Sequence, residues 1–283
     1  DPAGADRAYK QALALFDEIK FPLSSAYTLN RLGESAFNQG ELALAEDYAN
    51  RALQIYSTLE KNPAAAESYN TLGNVERTRG NWSAAQTNFQ KALSLSKELS
   101  HEGNEAAALS NLATIAVERG DLDAAEIGFL KALAIYEKQS NSGDTAWVLG
   151  GLGNLAIKRE DYDSAKTYYL RALSINEQLG HQMAIAANLL NLGAVEKGRN
   201  DFAAAEIYYQ RALDINERIG AKEYVAANLY NLGNLARARE DRSTACSYFR
   251  RSMEIIQKME ITASRNSNFV SKSIEDYCIS KSK

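Results

Sequence analysis

Side chains suited to covalent or acid–base chemistry are few in this sequence. The two histidines, His101 and His181, lie far apart at matching places in the chain, and each fits a loop or capping role better than a catalytic one. The cysteines, Cys246 and Cys278, are far apart in sequence and suggest neither a disulfide framework nor a zinc site. Gly150-Gly151-Leu152-Gly153 is as glycine-dense as a dinucleotide turn, but it falls inside a helical pattern with no strand before it. Asn81-Trp82-Ser83 matches a glycosylation triplet, yet Asn81 is placed to cap a helix. Carboxylates are plentiful but scattered over helix faces as solvated charge. The expectation is therefore no catalytic residue, no metal ligand, no cofactor and no small-molecule substrate, and the chain is read as not an enzyme.

Bulk properties narrow the remaining classes. The chain has 283 residues, 45% apolar and 24% charged, with a formal charge of −4. It is too apolar for disorder and not basic enough for nucleic-acid binding. No apolar run approaches the roughly 18–20 residues of a membrane span, so no membrane association and a cytoplasmic location are expected. Proline occurs only at Pro2, Pro22 and Pro63, and no Ser- or Gly-rich linker interrupts the chain, which favours one continuous helical body. Because it opens at Asp1 directly in a helical pattern, the chain reads as part of something longer.

The elements that would position any binding residue are set by a repeat. Leu-Gly recurs at Leu32-Gly33, Leu72-Gly73, Leu152-Gly153, Leu192-Gly193 and Leu232-Gly233, with Leu112-Ala113 in the remaining slot, so the step from Gly33 to Gly73 is kept throughout. The same step carries Ala45 to Ala85, Ala125, Ala165, Ala205 and Ala245. An aromatic column runs Ala49, Phe89, Phe129, Tyr169, Tyr209 and Phe249. Apolar residues at spacings of three and four on both sides of a break predict two helices per period. The break holds Gly40, Gly80 or Gly120 (later Glu160, Asn200 and Glu240). It is followed by Glu41, Asn81, Asp121, Asp161, Asp201 or Asp241. A left-handed residue ends one helix there, and an Asp or Asn side chain caps the next. Gly33 and its equivalents are expected to face alanines of the Ala45 and Ala52 columns, with the aromatic column filling the space beside them.

Leu-Gly followed by Ala, aromatic and Ala resembles the tetratricopeptide repeat, over residues from about 5 to 260. The usual repeat has about 34 residues and a closing proline; here the step is about 40 without one, so the second helix must run longer. That long form is similar to the repeats of kinesin light chains, of Pins-type polarity adaptors and of many bacterial signalling proteins. The resemblance implies an all-α fold, a right-handed α-solenoid of antiparallel helix pairs. Its divisions are 1–23 (the second helix of a partial repeat), 24–63, 64–103, 104–143, 144–183, 184–223 and 224–261. Residues 262–283 form a capping helix, with Phe269, Val270, Ile274 and Tyr277 turned inward, or a disordered tail.

The resemblance also places ligand contacts on the first helices beside the Leu-Gly pair. Carried over by position, these are Asn111, Asn191 and Asn231 before the Leu, and Asn74, Asn154 and Asn234 after the Gly. Gly151 and Ala194 interrupt the two columns. An asparagine amide donates and accepts, which suits the backbone of an extended peptide. First helices roughly 10 Å apart would address about every third residue of a chain advancing about 3.3 Å per residue. One turn on stand Arg77, Lys158, Lys197 and Arg237, with Glu118 the exception, so an acidic partner is expected. Arg79, Arg119, Arg159, Arg199 and Arg239 close the first helices and are expected to meet terminal carbonyls and the helix dipole. Tyr27, Trp147 and Tyr230 fall near the same face, either to grip a ligand or to pack between helices. The expected function is a protein–protein interaction scaffold holding an extended, acidic segment. The alternative is a regulatory sensor module of a larger multidomain signalling protein.

Overall fold

The computed structural model describes residues 2–259 and 270–279. Every long element is an α-helix, and helices alternate in two series. The first-helix series is α2 (Pro22–Asn38), α4 (Ala65–Thr78), α6 (Glu102–Arg119), α8 (Ser142–Lys158), α10 (Gln182–Gly198) and α12 (Lys222–Ala238). The second-helix series is α1 (Pro2–Glu18), α3 (Leu42–Tyr56), α5 (Trp82–Glu98), α7 (Leu122–Lys138), α9 (Tyr162–Leu179), α11 (Phe202–Arg218) and α13 (Arg242–Lys258). A helical turn at 270–273 passes into a wider π coil at Ile274–Ile279. The chain forms two compact units, residues 1–141 with α1 to α7 and residues 142–283 with α8 to α13 and the terminal turn. Within each unit, a first helix packs most closely on the second helix that follows it. These are the antiparallel pairs of an all-α solenoid fold.

The connections explain the regularity. A residue with positive φ closes nearly every helix, twice in each of the four repeats from 64 to 223: Gly80, Gly120, Gly180 and Gly220, and equally Ser100, Ser140, Glu160 and Asn200, with Lys20, Gly40 and Glu240 in the flanking segments. The left-handed residue turns the chain through a short loop, so helices of about 17 residues and their loops repeat in register. The connection between Tyr56 and Ala65 is longer and carries Pro63. Asp121, Asp161, Asp201 and Asp241 each accept a hydrogen bond from the amide three residues on, at 3.0–3.1 Å, as the sequence predicts. Glu41 and Asn81 do not. Asn81 instead donates to Glu76 at 2.7 Å, which corrects its assignment as a side-chain cap. His101 accepts from the Asn104 amide at 3.2 Å, whereas His181 sits at a cap position without a side-chain bond.

At Gly73, Gly153, Gly193 and Gly233 the glycine column meets the aromatic column rather than alanines; Gly33 lies nearest Ala45, as the sequence suggests. A Cβ on Gly73, Gly153, Gly193 or Gly233 would lie 2.4–2.6 Å from the ring of Phe89, Tyr169, Tyr209 or Phe249. Where the aromatic column holds Ala49, Gly33 has only ordinary contacts, the nearest at 3.5 Å. Where the first helix carries Ala113 instead of glycine, Gly128 on α7 makes the room: a Cβ there would stand 2.9 Å from the Ala113 Cβ. One small residue per contact is what the packing needs, and either helix can supply it.

The end of the second unit departs from expectation in one respect. Cys246 of α13 and Cys278 are joined as a disulfide, so the separation of 32 residues hid a contact that the fold creates. Val270 is buried, and Ile274, Tyr277 and Cys278 pack on the cluster of Ala226, Ala245, Phe249 and Ile256, the inward turn expected of a cap. The expectation for Phe269 lies outside the described residues.

Candidate functional site

The first helices bury small and aliphatic residues against their neighbours, and on the remaining face a stripe of three positions recurs, polar on some helices and not on others. On α4 that stripe is Asn70, Asn74 and Arg77, spaced i, i+4 and i+7, which places them on one face over two turns. On α12 the equivalent residues are Tyr230, Asn234 and Arg237. On α10 they are Leu190, Ala194 and Lys197, and on α8 Gly150, Asn154 and Ile157. Lys158 therefore stands one position off the column of Arg77, Lys197 and Arg237, and it corresponds to Glu118 on α6.

The polar atoms of these stripes are unevenly used. Asn154 Oδ1 accepts from the Tyr169 hydroxyl at 2.7 Å, so half of that amide is spent on the helix behind it. Burial pushes the Tyr169 hydroxyl well above the usual tyrosine range, which keeps it a donor. Asn74 and Asn234 hold the position of Asn154 in their repeats, but the aromatic column there is Phe89 and Phe249, which offer no hydroxyl. Asn234 Oδ1, Asn70 Oδ1 and Arg77 Nε are buried atoms with no hydrogen-bond partner. Asn111, Asn191 and Asn231 are half-buried, one position before the core leucines. Among the described residues, none of Arg77, Lys158, Lys197 and Arg237 forms an ion pair.

The neighbouring arginine column behaves differently. Arg79 pairs with Glu46 at 2.6 Å, Arg199 with Asp163 at 2.8 Å and Arg239 with Glu206 at 2.6 Å, while Arg119 donates to Gln86 at 2.5 Å. Each partner lies on the preceding second helix. Arg79, Arg119, Arg199 and Arg239 thus tie adjacent repeats through side chains, where the sequence had them meeting their own helix ends, and Arg239 also reaches a carbonyl, that of Phe202 at 2.5 Å. Glu46 raises the Arg79 pKa, so that cation stays charged. Tyr27 packs edge-on against Tyr56, with ring centres 6.2 Å apart, and Tyr230 is tilted against Phe249 at 5.7 Å. Trp147 is half exposed on α8.

By helix spacing, Asn74 and Arg77 come together on α4, Asn154 and Lys158 on α8, and Asn234 and Arg237 on α12, whereas Asn191 and Lys197, and Asn231 and Arg237, are six positions apart and fall on different faces. The structure separates Asn111, which has no cation on its helix face. Asn70 belongs to the α4 stripe and was missed by looking only beside the Leu-Gly pair; counting four residues back from Asn74 finds it, and the same count from Asn234 gives Tyr230, which the sequence already placed near this face. Clefts of about 550 Å3 beside Asp6, Arg7, Lys10 and Gln39 and about 290 Å3 beside Glu217, Lys222 and Lys258 involve none of these positions. Among the described residues no cluster of His, Cys, Asp and Glu has metal-binding geometry, and no helix is long and apolar enough to cross a membrane.

Comparison with known proteins agrees with this architecture. The family model described as tetratricopeptide repeat matches residues 24–98, 104–178 and 182–258. BtubC (BKLC) from P. vanneervenii is 25% identical over 77% of this chain and 91% of its own, with a TM-score of 0.63. A Rap protein complexed with Competence and Sporulation Factor is 15% identical over 91% of this chain and 75% of its own, with a TM-score of 0.66. The Pyrococcus horikoshii signal transduction ATPase PH0952, a STAND protein with a tetratricopeptide repeat sensor, is 14% identical. That likeness covers 90% of this chain and 38% of the ATPase, with a TM-score of 0.74. No curated protein matches the sequence.

Proposed function

Since the chain belongs to the tetratricopeptide repeat family, whose model matches most of its length, we propose that its first helices bind an extended, acidic segment of another protein. Proteins of this family are protein-interaction scaffolds; the face, the backbone geometry and the acidity of the ligand are the proposal. One observation carries it. Asn70, Asn74 and Arg77 on α4, and Asn234 and Arg237 on α12, combine buried polar atoms lacking partners with cations lacking carboxylates. A buried polar atom left unmade costs about 1–3 kcal/mol, which a ligand backbone would recover. On the same helices Arg79, Arg199 and Arg239 do find acids, whereas Arg77, Lys197 and Arg237 on the stripe column, and Lys158 one position off it, form no ion pair among the described residues. Acidic ligand side chains would complete them. Catalysis has no part in the proposal, and nucleic acid suits a chain of net charge −4 poorly.

The test is fluorescence anisotropy with a panel of short extended peptides, acidic, neutral and basic. The expected ligand is acidic, weakens with rising salt, and loses at least tenfold in affinity with Arg77→Ala plus Arg237→Ala. Preference for neutral peptides, or affinity unchanged in that variant, would contradict it. A cytoplasmic location, expected from the sequence, sits awkwardly with the Cys246–Cys278 disulfide, because such bridges persist chiefly in oxidising compartments.

A further inference from the structure

The first position of the stripe meets two further columns, and α2 shows how. Asn30, buried on that helix, donates from Nδ2 to the Ala64 carbonyl at 2.8 Å and to the Tyr56 hydroxyl at 3.4 Å. Its Oδ1 accepts from the Ser68 hydroxyl at 2.5 Å. A side-chain carboxamide is thus a group that this place, between a first helix and the next repeat, can satisfy at both ends.

The repeat step carries Asn30 to Gly150 on α8 and to Leu190 on α10. It carries Tyr56 to Asn176 and Asn216, and Ser68 to Asn188 and Asn228. At both of these later sites the two flanking positions are asparagines, and the residue between them has no polar side chain. With Leu190 in the column, the pair is sealed: Asn216 Nδ2 and both amide atoms of Asn228 are buried without a hydrogen-bond partner. With Gly150 in the column, Asn176 is 6% exposed and Asn188 7%, and neither side chain makes a hydrogen bond among the described residues. Their amide atoms, however, are not sealed. The cause is at hand, since a Cβ on Gly150 would meet nothing within 4 Å. The place that Asn30 fills with a carboxamide in its own repeat stands open at Gly150.

We infer that Gly150, Asn176 and Asn188 form a slot for a side-chain carboxamide, a glutamine or asparagine of the extended segment. As a subsite of the first-helix face, the slot rests on the peptide-binding proposal. The two asparagines present two amino groups and two carbonyl oxygens. A ligand carboxylate would accept from the amino groups but leave both oxygens unmatched, and an apolar side chain would match nothing, as Leu190 leaves Asn228. A carboxamide donates and accepts at once, as Asn30 does. The segment is therefore acidic where it passes the cations and carries an amide side chain where it passes α8.

The probe is propionamide, a glutamine side chain without its backbone, titrated into the full chain isotope-labelled at asparagine. The side-chain amide resonances of Asn176 and Asn188, assigned with Asn176→Ser and Asn188→Ser, are expected to shift saturably with propionamide and not with propionate. Gly150→Leu is expected to abolish both shifts. Its circular dichroism should match the parent, because leucine is the residue this column carries on α10. Absence of shifts with propionamide, equal shifts with propionate, or shifts that survive Gly150→Leu would each overturn the inference. Acidic peptides carrying one glutamate-to-glutamine exchange at each position in turn separate the slot from the groove. One such exchange is expected to raise affinity roughly fivefold, the worth of a buried hydrogen bond, in the parent and not in Gly150→Leu. If no acidic peptide binds while propionamide still shifts Asn176 and Asn188, the groove reading fails and the slot stands. Acidic peptides that bind with no preference for glutamine at any position would overturn the slot alone.

Discussion

Gly153 and Gly150 lie one turn apart on α8 and behave in opposite ways. A Cβ on Gly153 would press on Tyr169, which is 1% exposed and tied to Asn154, so the ring has nowhere to go. A Cβ on Gly150 meets nothing within 4 Å. Gly150→Ala should therefore stabilise by about 0.5–1 kcal/mol through helix propensity alone. Gly153→Ala should destabilise despite the same gain, and Gly153→Arg should be severe, beyond about 3 kcal/mol. Thermal melts of the three variants check this, and equal shifts for both alanines would refute the packing account. Tyr209 offers a pH test. Burial pushes its hydroxyl up to about 12, above the ordinary tyrosine value near 10, so the folded state holds a proton that the unfolded state releases first. That stabilisation is complete below about pH 10 and is lost as pH rises towards about 12, on the order of 2–3 kcal/mol. Ultraviolet absorbance of the phenolate should show this group ionising together with loss of helical signal, whereas ionisation before unfolding would contradict its burial. At this scale the sequence was legible where a column was regular, as with the aspartate caps. It was not where partners lie across helices: Asn154 bonded to Tyr169, or Gly128 making room for Ala113.

Helices and their connections were the most readable level. The spacing of apolar residues and the Gly or Asp at each break specify α2 to α13 almost position by position, because both physical signals recur in every repeat. Left-handed φ at Glu160, Asn200 and Glu240 follows from position in the repeat and not from residue type. The terminal turn was not readable in the same way, since no repeat covers it. Only the fold brings Cys278 beside Cys246, with Cα atoms 5.6 Å apart. A bridge closing a loop of 32 residues contributes about 3–4 kcal/mol in the chain-entropy account. Cys246→Ser with Cys278→Ser should lower the stability of α12 and α13 by an amount of that order while sparing α2 to α6. Hydrogen exchange resolved by segment measures both. Uniform loss along the chain, or none at α13, would argue against a local clasp.

For the whole molecule, the repeated first helix matters more than any single residue. The stripe positions recur on successive first helices with different residue types, so within a unit recognition can be distributed over several helices without a pocket, and substitutions within the stripe tune it. Asn and Arg are kept on α4 and α12, while α10 pairs Leu190 and Ala194 with Lys197, so contacts should be strongest on the first two. This uneven distribution was visible in the sequence as broken columns, but the buried unpaired atoms that give it energetic weight were not. The most direct measurement places a photo-crosslinking amino acid at Asn231, on the first-helix face of α12, and separately at Gln210, exposed on the second helix α11. Both proteins are then irradiated with the acidic peptide bound. The account predicts an adduct from position 231, competed away by unlabelled peptide, and none from position 210. An adduct from 210 alone would mean that binding occurs on the second-helix face, contradicting the central claim.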